Sequence, residues 1–291
     1  MEGMLVTLQK VLVSVPFFAV IALMLFAGKK LFDLTTTYNF QDELTKRDNP
    51  AFGVAISGFI LGLAIALGGT TYGVGGQTVV DAFISLALYG LLSIVLMRLS
   101  VTINDKFILH KFSVHKEIIE DKNTGTAFVV AGSFVATGFM ISGALTGESI
   151  SFLAGIVDLL VYWAAGQALL VFGGWLFQKI TPYDVHQTIE HDDNTAAGLS
   201  FGGFLVGLGI IMMTSLTGAG SNILAEIGPT ILIAAAGMIL LVATRIIIDR
   251  LFLPSAPLAR EVATERNAAA GALACTSFIA LSWAYSVAIA I

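Results

Sequence analysis

The chain has 291 residues, of which 56% are hydrophobic and only 12% are charged, and its mean hydropathy is +0.88. Soluble domains carry roughly twice that fraction of charge, so a water-soluble protein is excluded and lipid is the expected solvent. The net charge of −5 argues against nucleic-acid binding, and the single Cys275 excludes an internal disulfide.

Eight apolar segments are long enough, or nearly so, to cross a bilayer core that needs about 20 helical residues. They lie at 9–31, 50–70, 79–101, 125–146, 152–178, 196–217, 223–247 and 268–290. The first segment lacks a small-residue cleavage site and is followed by Lys29 and Lys30, which predicts a retained helix rather than a signal peptide.

The basic residues predict the orientation of these segments. All 15 lysines and arginines except Lys10 lie in or beside the connections that follow the first, third, fifth and seventh segments. The other connections have none. Because basic loops stay in the cytoplasm, the odd-numbered connections are predicted to be cytoplasmic and both termini to face outward.

An asparagine opens a glycine- and alanine-rich apolar run four times, at Asn49, Asn123, Asn194 and Asn267, with spacings of 74, 71 and 73 residues. A fixed long period indicates one structural unit used repeatedly. Asparagine is a preferred helix N-cap, and acidic residues cluster just before each one, where they complement the positive end of a helix. We interpret the four asparagines as N-caps, with direct ligand binding as the less favoured alternative.

Small residues recur at four-residue spacing after each asparagine, which predicts helix faces whose backbones approach closely in lipid. The glycines of this close-packing face are Gly53, Gly58, Gly62, Gly132, Gly198, Gly202, Gly203, Gly207 and Gly271. The even-numbered helices should therefore be central and the bulkier odd-numbered helices should face lipid. The run from Gly198 to Gly202 matches the G-x-S-x-G elbow of hydrolases, but that motif requires a strand–turn–helix setting, so an enzyme is not expected.

A longer pattern in the second half resembles a known family. Phe177-Gln-Lys-Ile-Thr-Pro-Tyr183, the acidic stretch after it and Asn194-Thr-Ala-Ala-Gly198 resemble the YjfL-like bacterial inner-membrane family, domain-of-unknown-function family 350. The resemblance covers about 150–291, and the first half resembles a more diverged copy. It implies a bacterial inner-membrane location, a four-helix unit, no established activity, and an association with envelope stress and membrane remodelling.

The predicted fold is an all-α integral membrane protein with eight transmembrane helices. It consists of two four-helix repeats, 1–147 and 148–291, each made of two hairpins. Because four helices return the chain to the same side, the repeats should be parallel rather than inverted.

The outer connections carry acids but no basic residues, so their acids are the candidates for a cation pathway. The candidates are Asp81, Glu148, Asp158 and Glu226, with Gln167 deeper on the fifth helix. Converging carboxylates could bind a proton, a metal ion or a polyamine. Asp158 is the strongest candidate because an acid inside the membrane is costly; solvation at helix N-termini is the alternative for the others.

At the inner ends of the helices, Arg98 and Arg245 are expected to reach the interface or to pair locally, with a gate or lipid-headgroup role as the alternative. The segments 104–122 and 249–266 are candidate surfaces for a cytoplasmic protein, and 104–122 mixes apolar residues with four lysines that could also lie on the inner leaflet. Plain helix extension is the competing interpretation.

The four histidines form two pairs, His110/His115 and His186/His191. Their five-residue spacing does not place two rings on one helical face, so no metal site is predicted, and a loop site at His186, His191, Asp192 and Asp193 is a less favoured alternative.

Two functions stay open at this point. One is a scaffold that recruits partners in an envelope-stress or membrane-maintenance system, and the other is a channel or carrier for a small cation. The scaffold is favoured because the membrane interior lacks the several charges expected of a coupled transporter. No cofactor is expected; the bilayer and a second copy of the chain are the other partners considered.

Overall fold

The computed structural model describes residues 2–72, 78–147, 151–216 and 223–290. Its helices in chain order are α1 (Glu2–Thr35), α2 (Phe40–Thr45), α3 (Pro50–Tyr72), α4 (Val79–Ile103), α5 (Val114–Ile119), α6 (Thr124–Leu145), α7 (Phe152–Ile180), α8 (Val185–Glu190), α9 (Thr195–Leu216), α10 (Ile223–Ile247), α11 (Leu258–Ala263) and α12 (Ala268–Ile289). Short π-helical segments, Asn104–Ile108 and Ile248–Phe252, continue α4 and α10.

Eight of the described helices are long and apolar enough to span a bilayer, and each corresponds to one predicted segment. The prediction of an all-α membrane protein with eight spans is therefore confirmed. The outward-facing termini and the parallel relation of the two repeats stay predictions.

The long helices form two layers. One is a row of α3, α6, α9 and α12, each packed against the next, and the other consists of α1, α4, α7 and α10 packed on that row. The α9 span is 89% buried, whereas the α1 span is only 6% buried. The second, fourth and sixth predicted spans (α3, α6 and α9) are thus central. The eighth, α12, is only 22% buried because it lies at the end of the row, so the expectation fails there.

Small residues bring the helices of the central row into main-chain contact. A Cβ added at Gly132 would fall on the main chain of Gly202, and one at Gly203 would fall on that of Cys275. In a bilayer such packing replaces the hydrophobic drive that holds soluble helices together. Gly53 differs, because the nearest atom to a Cβ there would be Leu44 Cδ2 at 3.7 Å.

The same packing recurs in the two halves of the chain. Gly28 on α1 faces Leu63 on α3, and Gly173 on α7 faces Leu208 on α9. Both pairs of positions are 145 residues apart, since 173 minus 28 and 208 minus 63 give the same offset. Matching aromatic clusters fill the two halves at Phe32, Phe59 and Phe134 and at Phe177, Phe204 and Phe278.

Candidate functional site

The same turn precedes all four repeated asparagines. We define a unit as a short helix, the asparagine that follows it and the next long helix, so that the four units begin at α2, α5, α8 and α11. The residue before each asparagine has a positive φ: Asp48 at 44°, Lys122 at 56°, Asp193 at 49° and Arg266 at 50°. A left-handed residue after a helix is typical of the C-terminal capping motif that reverses the chain.

The asparagine main chain completes this turn in three units. The N–H groups of Asn49, Asn123 and Asn267 each donate to the carbonyl six residues earlier, at 3.0, 2.8 and 2.8 Å. This bond spans one residue more than the six-to-one bond of the Schellman motif, which joins residues five apart. One residue therefore ends the short helix with its main chain and begins the long helix with its side chain.

Asn123 has the full set of side-chain bonds. Its Oδ1 accepts the Thr126 N–H at 3.0 Å, which caps α6, while its Nδ2 donates to Glu117 Oε2 at 2.8 Å and to the Ile189 carbonyl at 2.7 Å. Ile189 belongs to α8 of the next unit. With Asn123 only 2% exposed, the side chain is a buried clamp between consecutive units as well as a cap.

The clamp repeats along the row and then stops. Asn49 Nδ2 donates to the Ile118 carbonyl at 2.9 Å, and Asn194 Nδ2 donates to the Val262 carbonyl at 2.8 Å. Asn267 is exposed, and within the described ranges its Nδ2 donates only to Glu261 Oε2, at 2.9 Å. All four asparagines cap their helices, but only the first three also bond to a following unit.

Of the acids proposed for a cation pathway, Asp158 lies deepest. It is 7% exposed in the span Phe152–Ile180 and lies near Tyr162, which the charge of Glu226 also reaches. Gln167, which is 4% exposed, donates to Thr137 Oγ1 on α6 at 3.1 Å, so it links two helices. The structure thus places Asp158 and Gln167 in the protein interior on the same helix, α7.

The other two acids proposed for the cation pathway are Asp81 and Glu148. Asp81 is exposed and forms a capping box with Thr78, whose hydroxyl donates to Asp81 Oδ2 at 2.7 Å. Its local role is therefore to begin α4. Glu148 lies outside the described residues.

Arg98 and Arg245 bind threonines at the C-terminal ends of α1 and α7. Arg98 donates from Nε to Thr35 Oγ1 at 2.6 Å and from Nη2 to the Thr35 carbonyl at 3.1 Å. Arg245 donates from Nη1 to Thr181 Oγ1 at 3.0 Å. Both arginines thus pair with threonine hydroxyls. Asp249, a possible acidic partner near Arg245, instead accepts the Leu258 N–H at 2.7 Å.

Most apolar residues of 104–122 face the interior, as Ile108 and Leu109 illustrate. Phe107 is the exception at 58% exposed, next to the exposed Lys106. In 249–266 the matching π-helical segment exposes Leu251 at 73%. Each segment therefore combines structural residues with a small exposed apolar tip.

His186 is a buried structural histidine. It is 5% exposed, its Nε2 lies 2.8 Å from the Ile108 carbonyl, and its ring packs 5.1 Å from that of His110. Burial lowers the pKa of His186, and the neighbouring His110 and Lys111 lower it further while Asp184 opposes them. Within the described chain, no group of three or more His, Cys, Asp or Glu residues has an arrangement that could hold a metal ion.

Comparison with known proteins places this architecture in a family. A family model described as Domain of Unknown Function (DUF350) matches residues 6–145 and again 151–289. The chain belongs to the DUF350 family. The resemblance seen in the sequence is confirmed, and the chain contains two DUF350 repeats in tandem. The boundary between 147 and 148 stays a prediction.

A curated relative of this DUF350 protein is also a membrane protein. A UPF0719 transmembrane protein of Aquifex aeolicus (strain VF5) is 22% identical over 239 residues, which cover 82% of this chain and 85% of the relative. No solved structure matches the chain. The chain is therefore a multi-pass membrane protein of a family without an assigned role.

Proposed function

We propose that this DUF350 protein is a scaffold of the bacterial inner membrane that recruits a cytoplasmic partner in an envelope-stress or membrane-maintenance system. The central row supports this proposal most directly. Its helices meet at main-chain distance, as at Gly198 against Gly125, so the row is a packed wall. A wall of this kind suits a rigid platform better than a water-filled path.

We propose that the exposed tips at the cytoplasmic ends of α4 and α10 bind either the cytoplasmic partner or the headgroups of the inner leaflet. Phe107 and Leu251 are exposed apolar side chains, each beside an exposed basic residue, Lys106 or Arg250. Apolar and basic neighbours of this kind suit an acidic protein surface or an anionic leaflet. Self-association is a further part of the proposal, and the mass of the protein in a mild detergent would test it.

The structure dictates how the recruitment experiment should be built. Replacing all of 104–122 would remove α5, which positions the Ile118 carbonyl that accepts the Asn49 Nδ2 bond, so changes of single surface residues are needed. We expect Phe107→Ser with Leu251→Ser to abolish cross-linking to a cytoplasmic protein in intact cells. Phe18→Ser removes a ring from α1 that is even more exposed, at 74%, and should leave cross-linking unchanged. Equal loss in both variants would refute the tips as the recruiting surface.

The proposed orientation rests on the basic connections and has its own test. The C-terminus should face outward, so alkaline phosphatase fused after Ile291 should be active, whereas the same fusion within the connection after α10 should be inactive. The reverse pattern would overturn the orientation.

A cation channel or carrier is the second candidate, because Asp158 is a buried acid within a membrane span. Intramembrane acids commonly mark ion pathways. Under this alternative, proteoliposomes should show flux of protons, divalent metal ions or a polyamine, and Asp158→Asn should abolish it. Absence of flux for all three would eliminate the cation hypothesis and leave the scaffold.

A further inference from the structure

A cavity of about 230 Å³ lies among α1, α3, α4, α5 and α6, at the end of the bundle that carries the short helices. Its wall includes the rings of Phe32, Phe52 and Phe134 and the polar side chains of Thr36 and Tyr38. Drug-sized sites typically span roughly 300–1,000 Å³. This smaller space therefore suits a compact polar group backed by apolar surface.

Two opposite charges line this cavity without pairing with each other. Arg98 uses Nε and Nη2 on Thr35, so in the described part of the chain its Nη1 donors remain available. Asp105 Oδ1 is buried and has no hydrogen-bond partner among the described residues. A buried, unpartnered carboxylate oxygen is costly, so the cavity presents one group that needs an anion and one that needs a donor.

The second repeat shows that this arrangement is specific to the first. Asp249 is the counterpart of Asp105, 144 residues later (249 minus 105), and its Oδ1 accepts the Leu258 N–H at 2.7 Å. Phe201 is the counterpart of Ile56, 145 residues later (201 minus 56), and its ring stacks on Phe177 at 4.7 Å. In the second repeat the chain itself satisfies the carboxylate, and a ring occupies the place of the smaller Ile56.

We propose that this cavity binds the headgroup of an ethanolamine phospholipid. The phosphate would lie against Arg98, since guanidinium donors suit phosphate oxygens, and the primary ammonium would donate to Asp105 Oδ1. The Arg98 guanidinium lies 6.0 Å from the centroid of the Phe32 ring, a contact that helps to hold the cation in the cavity wall. A choline headgroup has no N–H to donate, and a glycerol headgroup has no cation, so the two charges select the ethanolamine group.

A membrane lipid is the source favoured by position. The cavity is lined by the ends of three membrane-spanning helices, α1, α3 and α4, and by the short helix α5 beyond them. Headgroups lie at the ends of membrane-spanning helices in a bilayer. The same phosphate and ammonium also occur in free phosphoethanolamine, so the experiment must separate the two sources. This inference is independent of the scaffold proposal.

The test is native mass spectrometry of the full chain with an equimolar mixture of ethanolamine, choline and glycerol phospholipids that share the same acyl chains. We expect the ethanolamine lipid to be retained about tenfold over the choline lipid, as one charge-assisted hydrogen bond would give. Equal retention of the three lipids would overturn the proposal. Displacement of the lipid by excess free phosphoethanolamine would overturn the lipid source.

Two variants locate the site. Asp105→Asn should bring the preference for ethanolamine over choline close to one, because the neutral amide no longer attracts the ammonium. Ile56→Phe places in the cavity the side chain that the second repeat carries, and it should reduce retention of all three lipids. Ile60→Phe adds the same ring one turn along α3 at a residue 39% exposed and should have no effect. Unchanged preference in Asp105→Asn, or unchanged retention in Ile56→Phe with its melting temperature preserved, would refute the assignment.

Discussion

The buried asparagine clamp can be separated from a simple helix cap by substitution at Asn123. Asn123→Ala removes the cap of α6 and leaves the Ile189 carbonyl and the Glu117 carboxylate without their donor. The cap is worth about 1 kcal/mol, and each unpaired buried acceptor costs about 1–3 kcal/mol. With one cap and two acceptors lost, we therefore expect a loss of about 3–7 kcal/mol in the free energy of unfolding.

The decisive variant is Asn123→Asp. Aspartate caps a helix as well as asparagine does, so a residue that only capped would tolerate it. At Asn123 the new side chain cannot donate to Ile189, and it places a second carboxylate beside Glu117, whose pKa burial already raises. We expect Asn123→Asp to lose at least as much stability as Asn123→Ala.

Asn267 provides the matched control, because it caps α12 but is exposed and bonds to no later unit in the described chain. Asn267→Ala should cost about 1 kcal/mol. Asn267→Asp should cost less than about 1 kcal/mol, because at this exposed site solvent screens the new carboxylate from Glu261. Unfolding in mixed detergent micelles, followed by the fluorescence of the three tryptophans, would measure all four variants. Wild-type stability of Asn123→Asp would refute the clamp and leave only the cap.

Three further predictions concern packing, protonation and the turn. Gly198→Ala should cost about 1–3 kcal/mol, because its Cβ would meet the main chain of Gly125. Gly53→Ala, whose Cβ would lie at an ordinary 3.7 Å from Leu44 Cδ2, should not destabilise the protein, and thermal unfolding compares the two. Burial lowers the pKa of His186, so as the pH falls the unfolded chain takes up the proton before the folded chain does. The free energy of unfolding should therefore decrease as the pH drops below about 6.5, and His186→Gln should show a smaller decrease. Asp193 has a φ of 49°, which glycine adopts without strain, so Asp193→Gly should be at least as stable as the wild type. Asp193→Val should be about 1–2 kcal/mol less stable. Equal melting temperatures for Asp193→Val and Asp193→Gly would contradict this prediction.

Local patterns were sufficient to predict the spans and the caps. Length and apolar content are properties of each segment, so the eight segments correspond to the eight long helices. The period of the asparagines identified a repeated unit, and Asn49 and Asn123 do cap the helices that follow them. The left-handed residue before each asparagine was not predicted, because Asp48, Lys122, Asp193 and Arg266 share only a position and not a residue type.

The contacts that depend on tertiary structure were out of reach of the sequence. The acceptor of the Asn123 clamp is a main-chain carbonyl 66 residues later, and a carbonyl leaves no trace in residue identity. Glu117, six residues before Asn123, was a visible signal, since Glu43 and Glu261 occupy the same place before Asn49 and Asn267. The cavity beside Asp105 depends on the difference between Ile56 and Phe201, which can be read only once the two repeats are superposed.

The ninth residue after each asparagine distinguishes the fourth unit from the first three. In the first three units it is Gly58, Gly132 and Gly203, and each lies against the main chain of the next central helix. In the fourth unit the ninth residue is Thr276, which is exposed on α12. A side chain at this position would hold a fifth helix away from the distance found at the three internal contacts. Within the described residues, the fourth unit therefore differs from the first three both at this packing position and in the clamp, since Asn267 Nδ2 donates only to Glu261.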